Sequence, residues 1–112
     1  MRLTAKRISG PAHLGTAAAA LCTAASGTTL LARELLLHNS GTAAAGYTLY
    51  LVPSGGTAGA GNRIFHASLD PDETVLISLG GGGLVLAEGD SIQGLASATD
   101  SIVATIHGAE VS

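Results

Sequence analysis

The chain of 112 residues has room for one compact domain and none for a second. Hydrophobic residues make up 46% of it but aromatics only 3%, so a core must be assembled from Ala, Leu, Val and Ile, while 12% charged residues oppose a highly charged disordered chain. The net charge of −3 argues against nucleic-acid binding through a general basic face, and no run approaches the ~18–20 apolar residues that a membrane-crossing helix needs.

The first 15 residues carry Arg2, Lys6 and Arg7 and no acid. They read as an extended N-terminal arm, either a solvated terminus or a strap laid on an acidic neighbour in an assembly. Gly10, Pro11 and His13 interrupt this segment before the short alanine run 17–20, which opposes a secretory signal. Leu21 is too bulky for lipoprotein processing at Cys22. That lone cysteine cannot form an intrachain disulfide and reads as a small core residue.

From residue 16 to the C-terminus, Gly, Pro, Asn and Asp cut the chain into short segments, the rhythm of an all-β domain. Strands are expected over 17–23, 29–38, 42–52, 63–67, 74–79, 84–86, 91–98 and 101–111, eight in all. Tyr47, Leu49 and Leu51 alternate with Thr48, Tyr50 and Val52, and Ile102, Ala104 and Ile106 alternate with Val103, Thr105 and His107. Period two is the signature of a strand with one buried face. Parity puts Tyr47 and Tyr50 on opposite faces, leaving Tyr50 as the one available for a contact. The segments 53–62 and 80–83 read as glycine-rich loops, and Asp70-Pro71-Asp72-Glu73 and Glu88-Gly89-Asp90 as acidic turns. Segments 17–25 and 30–37 also contain the best helix formers, but Ser26-Gly27 and Asn39-Ser40-Gly41 bracket the second at hairpin spacing, and no strong capping box is present. A meander of hairpins over eight strands is expected to build a β-sandwich or jelly roll.

Chemistry is sparse. His13, His38, His66 and His107 lack the close spacing of a metal-binding pair, the acids lack the alternation of a calcium loop, and the glycine runs match neither a phosphate-binding loop nor a dinucleotide fingerprint. No nucleophile comes with a visible activator, so the chain reads as a non-enzyme without cofactor or metal. Low charge and an aliphatic excess point instead to association. The contact residues expected from the sequence are Arg2, Lys6, Arg7 and Tyr50.

The stretch from Tyr47 to Gly56, with Asn62-Arg63-Ile64-Phe65, Leu69 to Thr74, Leu84 to Ile92 and the closing Ile106 to Val111, resembles small β-sandwich virion structural proteins of tailed bacteriophages. The resemblance covers the chain from about Ala17 onward and rests on turn and strand signals. It implies a particle subunit made in the host cytoplasm. The first reading is a capsid decoration, or cement, protein on the shell exterior, contacting the major capsid protein and forming a homo-oligomer such as a trimer. The second is a tail, neck or fibre module that contacts other tail proteins or a host surface.

Overall fold

The computed structural model describes residues 2–81 and 83–112; Met1 of the expected arm and Gly82 of the glycine run lie outside them. The described chain is all β, with strands β1 (Leu3–His13), β2 (Ala19–Thr23), β3 (Thr29–Asn39), β4 (Ala45–Val52), β5 (Arg63–Leu69), β6 (Thr74–Ser78), β7 (Leu84–Leu86), β8 (Ser91–Ala96) and β9 (Ile102–Val111). A single 3₁₀ turn, Ala60–Asn62, precedes β5. The helix-forming composition of 17–25 and 30–37 is overridden. Leu30 and Ala32, then Leu35 and Leu37, enter the core, while Arg33 and Glu34 between them stay exposed at a bulge.

Two antiparallel sheets face each other. One runs β1-β9-β3-β6, with β7 beside β3 where β6 has ended; the other runs β2-β8-β4-β5. Strands pair in nested order about the β4–β5 hairpin: β3 with β6 and β7, β2 with β8, β1 with β9. This is the winding of a jelly roll. It corrects the expected meander, because among the described residues β4 and β5 are the one consecutive pair that forms a hairpin. Alternation specifies which face of a strand is buried and leaves its partner open.

The N-terminal segment is also corrected. It is extended, but it lies along β9 of its own domain from Leu3↔Val111 to His13↔Val103, with irregularities on either side of Ser9. Two backbone hydrogen bonds between Arg2 and Ser112 close its start, and the Ser9 hydroxyl donates to the Leu21 carbonyl. Its alternation is hidden in the sequence because it is an edge strand, where exposed charges, Gly10 and Pro11 are tolerated.

The core joins both sheets through Leu14, Leu30, Leu35, Leu37, Tyr47, Leu49, Leu86, Ile92, Ile102 and Ile106. Glycine is required at Gly108, where a Cβ would collide with the Leu31 carbonyl across the β9–β3 pair. The same holds at Gly83, whose φ is +81° and where a Cβ would strike the Ala32 carbonyl as the chain enters β7 opposite the β3 bulge.

Two polar side chains tie the ends of the sandwich. Asn39 is fully buried; its amide donates to the Ala43 and Leu69 carbonyls at 2.9 and 3.0 Å and accepts from the Gly41 N–H at 2.9 Å. At the opposite end the Asp90 carboxylate accepts from the Ser54 and Ala87 N–H groups, both at 3.0 Å. Replacing Asn39 by Ala strands the buried Leu69 carbonyl and removes a partner from the part-buried Ala43 carbonyl and Gly41 N–H, so Asn39→Ala is expected to lower the free energy of unfolding by about 1–3 kcal/mol in urea titration. Ser40→Ala, at a half-exposed neighbour, serves as the control and should change it by less than about 1 kcal/mol.

Candidate interaction surface

The two outer faces of the sandwich differ in chemistry. On the β2-β8-β4-β5 sheet, the registers Gln93↔Tyr50↔Arg63 and Leu95↔Thr48↔His66 lay a largely polar surface, in which the Thr48 hydroxyl and His66 Nδ1 stand 2.9 Å apart. Tyr50 is half-buried there between a strand carrying an amide and a strand carrying a guanidinium.

The outer face of the β1-β9-β3-β6/β7 sheet is apolar over much of its length. Pairing aligns Leu3↔Val111↔Thr29 in one transverse row and Ala5↔Ala109↔Leu31↔Val85 in the next. A charged row follows, Arg7↔His107↔Glu34↔Ser78, and beyond it come Thr105↔Leu36↔Leu76 and His13↔Val103↔His38↔Thr74. Leu3, Leu76 and Val85 are 59%, 55% and 58% exposed. Ala109 is buried on this face beneath its neighbours and takes no part in the inter-sheet core. Outward positions of an antiparallel sandwich are ordinarily polar, so this face is the exception that calls for cover.

Of the contact residues expected from the sequence, Arg2, Lys6 and Arg7 are all exposed on or beside β1, and Tyr50 stands on the other sheet. The structure therefore does not gather the four into one patch. The Lys6 ammonium lies 3.3 Å from Glu110, so part of the basic segment's charge is answered within its own domain. Both partners are substantially exposed, and such a pair contributes only about 0.2–1 kcal/mol. The apolar rows themselves escaped sequence reasoning. Their members are single outward residues on five strands, and only the pairings of β9 and β3 bring them together.

Among the described residues no group of three or more His, Cys, Asp and Glu is placed to hold a metal ion, and no helix is long and apolar enough to cross a membrane. The His38 imidazole holds Thr74 Oγ1 at 2.7 Å and lies 3.7 Å from Asp72. At the Asn39 end, residues 41–44 and 98–101 enclose a small hollow of about 240 Å³ whose one charged side chain is Asp100. Burial pushes the Cys22 thiol above its ordinary range, partly offset by a backbone hydrogen bond at Ile92, and burial likewise raises the Tyr47 phenol.

No known protein family, no curated protein and no solved structure matches this chain.

Both raised groups stay protonated in the fold at a pH where the unfolded chain releases their protons, near the ordinary values of 9.0 and 10.0. Their contribution to stability is therefore complete below pH 9 and is lost as the pH climbs above it. Urea midpoints measured from pH 8 to pH 11 should fall, and Tyr47→Phe combined with Cys22→Ser should flatten that fall. At pH 8 the Cys22 thiol should react with a disulfide reagent more slowly in the native protein than in urea.

Proposed function

We propose that this chain is a structural subunit of a bacteriophage particle, foremost a decoration protein that binds the outer surface of the capsid and stabilises the shell. The observation that carries this reading is a jelly-roll domain with one apolar outer face, an arrangement suited to being covered by a neighbour in an assembly. The turn and strand signals from Tyr47 to Val111 that resemble tailed-phage virion proteins add the particle to that picture.

Cement action follows from mass action. A subunit that binds the assembled lattice and not the free capsid protein shifts stability toward the lattice by its binding free energy. A rigid β domain serves this well, since little ordering entropy is lost on docking. The tail, neck or fibre reading draws on the polar Gln93-Tyr50-Arg63 face, where a half-buried aromatic ring is flanked by hydrogen-bonding side chains. Three aromatics in the whole chain leave little for a sugar platform, which keeps this reading second.

Particles lacking the protein are expected to assemble but to release DNA at lower temperature or under osmotic shock. Purified protein added back should restore resistance, with saturable occupancy over the whole shell. Heads that stay full and stable but are tailless, or fail to adsorb, would assign the subunit to the tail or neck instead.

A further inference from the structure

We infer that the apolar outer face of the β1-β9-β3-β6/β7 sheet is covered by the same face of a second copy of this chain, related by a two-fold axis lying between β9 and β3 and parallel to them. The argument starts from side-chain size. In the row Ala5↔Ala109↔Leu31↔Val85, the β1 and β9 half carries small residues and the β3 and β7 half large ones. The axis exchanges the halves. Ala5 of one copy then meets Val85 of the other, both exposed, so a large side chain stands over a small one on each side of the axis, and Leu31 lies over the neighbours that already cover Ala109.

Charge agrees with size. The same axis sets exposed Glu34 over exposed His107 of the second copy, twice, and places Arg7 over Ser78. The row itself is neutral, since Arg7 balances Glu34. An axis running across the strands would instead oppose Arg7 to Arg7 and Glu34 to Glu34. The charged row thus selects between the two ways of stacking the face on itself.

Extent reaches the lower limit of specific interfaces. Four strands ~4.8 Å apart and about ten residues long at ~3.3 Å each present a projected area of roughly 600 Å². Over two copies that is about 1,200 Å² in total, where specific interfaces begin. A face of this kind packs on its twin with strands within about 30° of each other. The neighbour that covers the apolar face is then a second copy, and the polar Tyr50 face and the loop ends are left for contacts with a particle. The inference does not rest on the virion reading, since a dimer that never enters a particle would refute only the latter.

Sedimentation of the full chain at micromolar concentration should show a dimer. Val85→Glu, a change at an exposed position, should raise its dissociation constant roughly 30-fold or more while leaving the far-ultraviolet circular dichroism unaltered. Gln93→Glu on the other face should leave it unchanged. In a Cys22→Ser background, a bismaleimide of about 10 Å reach should join mixed Ala5→Cys and Val85→Cys variants into a covalent heterodimer, since facing sheets stand ~10 Å apart, beyond the reach of a direct disulfide. Each variant chain then carries a single cysteine, so the cross-link reports only the contact between copies. A monomer at this concentration, a trimer, a dimer indifferent to Val85→Glu, or a dimer that gives no Ala5–Val85 cross-link would each overturn the proposal.

Discussion

Nested antiparallel pairing is the constraint on which the rest of this structure depends. Once β4 and β5 form their hairpin across the 53–62 loop, each earlier strand finds its partner progressively later in the chain, ending with β1 on β9. Two further pairings, β9 with β3 and β8 with β4, join the nested pairs into sheets. The core then needs no large residue, because Leu, Ile and Ala from both sheets interdigitate between them, with Tyr47 the one aromatic fully inside.

Such winding brings loops from distant parts of the chain together at each end, where their backbone groups must find partners. Asn39 meets this requirement at one end. Besides its side-chain bonds, its backbone N–H donates to the Glu73 carbonyl and its carbonyl accepts from the Asp72 N–H, so one residue holds the 40–44 and 70–73 turns together. Asp90 does the same at the other end for the 53–62 and 87–90 turns, helped by the bond from the Gly27 N–H to Glu88. Both residues read in sequence as ordinary turn formers. Their wider role exists only because the nested topology delivers the other loops to them.

The two sheets divide the labour of the surface. One outer face presents hydroxyl, amide, imidazole and guanidinium groups in adjoining registers, as a solvated sheet does. The other carries Leu3, Leu31, Leu36, Leu76, Val85 and Val103, interrupted by a single charged row. Among the described residues, the three large hydrophobic residues that stay exposed, Leu3, Leu76 and Val85, are all on this second sheet. The apolar face therefore points to association, and the polar face and loop ends are left to recognition.

The sequence by itself determined the fold class and, to within a few residues, the eight strands from Ala19 to Val111, because alternation and turn chemistry are local properties of the chain. It also determined that Tyr47 and Tyr50 lie on opposite faces of one strand, which follows from parity alone, while the structure decided that Tyr47 is the buried one. The ninth strand, Leu3–His13, was not legible, since an edge strand with Arg2, Lys6, Arg7, Gly10 and Pro11 in or beside it owes its conformation to β9 rather than to a pattern of its own. Only the tertiary structure decided which strands pair, that Asn39 and Asp90 bind the loop ends, and that isolated outward residues on five strands join into one apolar face. Each of these depends on contacts between residues as far apart as Ala5 and Ala109, and local alternation carries no information about a partner a hundred residues away.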